Sequence, residues 1–82
     1  MNRMIIKKPW ISEKATMLSD MGKYVFLVDL SAKTAQIKEA VEKIYKVHVV
    51  GVNVTNIRNN KKNIRKATVE LKKGEKIDIL PH

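Results

Sequence analysis

Apolar residues recur along this chain with two different periods. Val50, Val52 and Val54 point one way, while Gly51, Asn53 and Thr55 point the other. That alternation predicts a half-buried strand over Val50 to Ile57. Ala67, Val69 and Leu71 alternate with Thr68, Glu70 and Lys72 in the same manner. From Ile37 the spacing changes: Ile37, Ala40, Val41, Ile44 and Tyr45 fall at i, i+3, i+4, i+7 and i+8. This is the stripe of an amphipathic helix. Lys38, Glu39, Glu42, Lys43 and Lys46 lie opposite it, and Thr34 is placed to cap it. Val41 and Ile44 are expected to be buried against the sheet. The segment Lys23 to Asp29 follows neither period. Tyr24-Val25-Phe26-Leu27-Val28 is apolar on both faces, as in an interior strand covered on both sides, or on one side with loops or a partner on the other.

Shorter signals complete the order. Arg3 to Lys7 reads as a short strand that stops before Pro9. Ser12 is a good N-cap, because its hydroxyl can accept a bond from an unpaired amide of the first helical turn. Glu13 then favours the positive helix end. Ala15, Met17, Leu18 and Met21 supply an apolar side, and Gly22 suits the stop. Arg58 to Ile64 reads as a polar, basic hairpin connection. Gly74 marks a turn into a last short strand over Ile77 to Leu80. The order strand-helix-strand-helix-strand-strand predicts an α+β domain over residues 1–82, an antiparallel four-stranded sheet with two helices packed on it. The helices are expected on one apolar sheet face, leaving Asn53, Thr55, Thr68 and Lys72 on the other.

Charge changes the picture. The 82 residues carry 17 Lys and Arg against 8 Asp and Glu, a net charge of +9. Such an excess points to a polyanionic partner, and its placement is uneven. Residues 1–14 carry a net +3, residues 15–57 only +1, and residues 58–76 carry +6. The two basic segments are the candidate contact surfaces. Arg58, Lys61, Lys62, Arg65 and Lys66, joined by Arg3, Lys7 and Lys8, are candidate phosphate contacts. Lys72, Asn53 and Thr55 on the polar sheet face add groups that can bond RNA. Asn59, Asn60 and Asn63 suit base edges or turn formation equally. Trp10 closes the end of the core, stacks on a base or forms part of a protein-docking patch, the first being commoner for a lone Trp. Tyr24 and Phe26 share a strand face, yet no Gly-Phe-Gly-Phe-like segment accompanies them.

Other classes find little support. There is no cysteine, hence no disulfide and no Cys-based zinc site, and a reducing cytosol is expected. No apolar run approaches the roughly 20 residues that span a bilayer, so no membrane insertion is expected. Met1 to Ile6 is too short and wrongly built for a signal peptide. His48 and His82 are isolated, and no Gly-rich phosphate loop is present. Ser12, Ser19 and Ser31 lack a nearby His to activate them. An enzyme, a cofactor, a metal and a small-molecule substrate are therefore not expected. A structural RNA-binding protein is the first reading, and a free-standing RNA-binding regulatory module the second.

Several segments match one family. Lys8-Pro9-Trp10-Ile11-Ser12-Glu13-Lys14-Ala15 resembles the N-terminal Pro-x-x-(Ser/Thr)-Glu-Lys signature of the ribosomal protein L23 family. Tyr24-Val25-Phe26-x-Val28 is similar to its second strand, and the run from Ile37 to Val47 resembles its long helix. Val52-Asn53-Val54-x-Asn56 is similar to its third strand, and the run from Arg65 to Ile77 to its final signature, with the bacterial style of ending. The resemblance implies a protein of the large ribosomal subunit, bound to its RNA and to neighbouring ribosomal proteins beside the exit of the nascent-peptide tunnel. It also implies docking of trigger factor, the signal recognition particle and the translocon. The family's trigger-factor contact corresponds to Ser12 and Glu13, with Ile11 beside them. The connection from Arg58 to Ile64 is much shorter than the long, basic, Gly/Arg-rich hairpin usual in bacterial members, and more like that of archaeal ones.

Overall fold

A computed structural model describes residues 5–59 and 62–77. Strand β1 (Ile6–Pro9) leads to helix α1 (Glu13–Ser19), then β2 (Lys23–Val28), α2 (Thr34–Tyr45), β3 (Val49–Asn59) and β4 (Lys62–Leu71). The four strands form one antiparallel sheet in the order β1-β2-β4-β3. The predicted class and element order hold. Among the described residues, no helix is long and apolar enough to cross a membrane.

Two layers follow from the alternation within β2. Tyr24, Phe26 and Val28 enter one core with Ile37 and Val41 of α2 and Ala67, Val69 and Leu71 of β4. Tyr45 closes this core, its ring 5.6 Å from that of Phe26. Tyr24 and Phe26 are thus buried, not a stacking platform. Val25 faces the other way and is only 6% exposed. It shares a cleft with Ala15 and Leu18 of α1. The two helices therefore lie on opposite faces of the sheet, not on one face as expected. The doubly apolar β2 is the physical reason, since both of its faces need cover.

Several local expectations are corrected. The first strand includes Pro9, which the edge position of β1 tolerates. Met17 and Met21 are exposed, and only Ala15 of α1 is fully buried. A seven-residue helix of two turns has room for a narrow contact only. In α2, Ile37 and Val41 are buried, but Ile44 is 58% exposed. The helix starts at Thr34 itself, so Thr34 is not its cap; the Gln36 side chain instead accepts a bond from the Lys33 amide at 3.0 Å. A bulge between Val49 and Gly51 reverses the phase of β3. Val49 is consequently buried, Val50 is 62% exposed, and Val52 and Val54 pack against the core. Arg58, Asn59, Lys62, Asn63 and Ile64 belong to the paired strands and not to a connection. The expected strand from Ile77 to Leu80 falls almost wholly outside the described residues.

Candidate nucleic-acid interface

The sheet register sorts the basic residues. Lys8 pairs with Leu27, Leu27 with Lys66, and Lys66 with Thr55. Neighbours across a sheet share a face, so this row presents Lys8, Lys66 and Thr55 together. The parallel row on that face holds Val25, Thr68 and Asn53. Towards the hairpin end, Ile57 pairs with Ile64, and Lys62 follows two residues before Ile64. The α1 helix covers Val25 at one side of this face, while Asn53, Thr55 and Lys62 stay exposed. The negative group on the face, Glu70, sits opposite Lys23 at the far end of the sheet.

Trp10 borders the same face. Its amide extends the pairing of β1 with β2 by donating to the Val25 carbonyl at 2.8 Å. The Lys66 ammonium stands 4.8 Å from the ring centre, a cation–π contact that restricts a long, mobile side chain. Trp10 is half-buried and walls a cleft with Ala15 and Leu18. It is therefore part of the edge packing and of the surface at once.

The opposite side of the hairpin differs. Arg58 is exposed there. Arg65 is half-buried and engaged within the protein: its Nε donates to the Ala32 carbonyl at 2.8 Å, and Nη1 to Asn56 Oδ1 at 2.9 Å. Its structural task is to tie β4 to the loop before α2. Lys7 is exposed on β1. Lys72 lies just past β4, where its amide donates to the His48 carbonyl at 2.8 Å. It is at the end of the sheet remote from the hairpin and beside Glu75, which its charge helps to hold ionised. Arg3, Asn60 and Lys61 lie outside the described residues, as does the Asn59 side chain. The structure thus brings together Lys8, Asn53, Thr55, Lys62 and Lys66, and separates Arg58, Arg65 and Lys72 from them.

One residue was missed by the sequence reading. Lys14 borders the cleft beside Trp10, where Thr68, expected on the polar sheet face, also lines it. The signal for Lys14 was Val25. A buried residue on the second face of β2 requires α1 on that face, and α1 brings Lys14 with it.

At the start of α1, Ser12 Oγ accepts a bond from the Ala15 amide at 3.1 Å. Its carbonyl accepts from the Thr16 amide and hydroxyl, both at 2.9 Å. The predicted cap is present, and the Ser12 hydroxyl serves the helix. Ile11 is 55% exposed, and Glu13 is exposed beside it.

Comparison of the sequence with known proteins identifies the family. The sequence model of the family described as ribosomal protein L23 matches residues 4–79. The large ribosomal subunit protein uL23 of Pelotomaculum thermopropionicum is 41% identical, over 94% of this chain and 92% of its own length. The uL23 of Rickettsia africae is 43% identical over 92% of this chain and 87% of its own. That of Treponema denticola is 42% identical over 92% and 90%. These matches place this chain in the ribosomal protein L23 family, a family of structural proteins of the cytoplasmic ribosome and not of enzymes.

Proposed function

We propose that this protein is a constituent of the large ribosomal subunit that binds its ribosomal RNA through the open sheet face. The observation that carries the reading is the row Lys8–Leu27–Lys66–Thr55, continued by Lys62, on a face whose carboxylate is set apart at the far end. Cations set across one sheet face can meet several phosphates of one backbone, and hydroxyl and amide groups between them reach sugars and base edges. Neighbouring ribosomal proteins would cover other faces. The test is co-sedimentation of tagged protein with large subunits at moderate salt. Replacing Lys8, Lys62 and Lys66 by Gln should shift the protein to the unbound fraction. Retention of the triple variant at wild-type occupancy would remove this face from the interface.

The start of α1 supports a second role at the exit of the peptide tunnel. Ile11 and Glu13 are exposed side by side, offering an apolar contact next to a carboxylate, which suits a basic, amphipathic partner segment. Trigger factor is the partner in this reading; the signal recognition particle and the translocon are further users of the same exit site. Glu13→Gln keeps the shape and removes the charge. It should weaken trigger-factor binding to ribosomes while leaving incorporation into the large subunit intact. Unchanged chaperone affinity at matched ribosome content would leave Glu13 with only its helix-end role.

A further inference from the structure

The cleft between α1 and the open sheet face has a composition distinct from the rest of the surface. The sheet face lines it with Val25, Thr68, Thr55 and Ile57, and Trp10, Ser12, Ala15 and Leu18 line it from the side of α1. Lys14 and Lys66 stand at the rim, and no carboxylate lines it. Its volume is about 280 Å³, just below the roughly 300–1,000 Å³ of sites that take a drug-sized ligand. A larger cleft near Gly22 is lined by Asp20, Glu70 and Glu75 as well as by lysines, a mixed lining with no preference for an anion.

We propose that the α1 cleft receives the base of one unpaired ribosomal RNA nucleotide, with Lys14 and Lys66 on its flanking phosphates. This rests on the RNA-binding reading above and names what that face recognises. A nucleobase has apolar faces and polar edges, and the cleft has apolar walls and the hydroxyls of Thr55 and Thr68, besides that of Ser12, which serves the helix. The indole and Ile57 meet the faces of the ring. Thr55 and Thr68 hydroxyls donate to or accept from its edges, which a base inside a duplex does not offer to a pocket of this depth. Lys66 is already held over Trp10 at 4.8 Å, so less side-chain freedom is lost when it meets a phosphate. Base stacking of this kind tolerates any sequence, whereas the two hydroxyls favour the bases whose edges they match.

Trp10 is the single tryptophan of the chain, so its fluorescence reports on this cleft alone. The experiment titrates the whole protein with an end-labelled single-stranded oligoadenylate and, separately, with a duplex of equal length at the same low salt. Anisotropy of the label reads total binding, and Trp10 emission reads entry into the cleft. Both RNAs should bind, and only the single strand should quench Trp10. Thr68→Leu, which fills the cleft without altering charge, should abolish the quench and weaken single-strand binding about tenfold, the scale of one lost base contact. Duplex binding, which the cations carry, should weaken less than single-strand binding. Thr55→Val, at an exposed position, repeats the test by removing one hydroxyl and keeping the shape. Binding of both RNAs with equal quenching, or with none, would overturn the cleft proposal and leave the basic face standing. Failure of both RNAs to bind would remove the RNA reading, and the cleft with it.

Discussion

At the scale of single residues, three positions carry distinct physical consequences. Lys46 ends α2 in the left-handed region, with φ 56° and ψ 48°. Glycine is the residue that adopts this conformation without a Cβ penalty. Lys46→Gly should therefore raise stability by about 0.5–1 kcal/mol, read as a higher urea midpoint with an unchanged slope. Ile37 and Ile44 are both apolar and share the predicted stripe, but only Ile37 is fully buried. Ile37→Ala should cost about 2–5 kcal/mol, and Ile44→Ala under about 1 kcal/mol, because its side chain already meets water. Equal losses would put Ile44 in the core. Glu75 accepts bonds from His48 Nδ1 at 2.9 Å and from the His48 amide at 2.6 Å. These bonds, with the nearby charge of Lys72, hold its carboxyl below the ordinary 4.5. A lowered folded-state value means that the stabilising contribution is present above about pH 4.5 and fades as the pH falls through the folded value. The advantage of the native protein over Glu75→Gln in urea should accordingly shrink on acidification below pH 4.5. A difference that stays constant from neutral pH to pH 3 would show that these bonds do not depend on the carboxylate charge.

At the scale of elements, caps and bulges decide which face each residue takes. Ser12 caps α1 as its residue type implies, and Ser12→Ala should lower stability by about 1 kcal/mol. Asp at this position retains an acceptor and should keep most of the stability, which thermal melting can check. The class, the order of elements and the buried stripe at Ile37 and Val41 were legible from periodicity. So was the cover on both faces of β2, although its consequence for α1 was not. One-residue irregularities were hidden. The bulge after Val49 moves Val50 out to solvent, and nothing in a run of valines marks where the extra residue sits. The cation face was half legible for the same reason. Charge counting finds Lys62, Arg65 and Lys66, but only the register shows that Arg65 turns away from the others. Its bond to Ala32 joins residues 33 apart in the chain, and such a pair leaves no local signal.

At the scale of the whole molecule, net charge and its alignment govern affinity. If Lys8, Lys14, Lys62 and Lys66 each neutralise a phosphate, the logarithm of the RNA binding constant should fall against that of salt with a slope of about −3 to −4. Replacing Lys62 and Lys66 by Gln should reduce that slope by about 1.5, whereas Lys7→Gln should leave it within about 0.5. A larger effect from Lys7 would move the contact line towards the sheet edge. The sheet order adds a different consequence. β3 is an outer strand, and from Val49 to Asn59 its one charged side chain is Arg58. Long, nearly neutral outer strands are templates on which further chains can polymerise. The bulge at its start disturbs the template over a short stretch only. Before assembly, mutual repulsion of copies at +9 is then what keeps them soluble. Salt removes that repulsion without covering the strand, so the free protein should become turbid and bind amyloid dyes as ionic strength rises. For a cell, this makes the unassembled chain a perishable good, whose synthesis has to keep step with the ribosomal subunits that take it up.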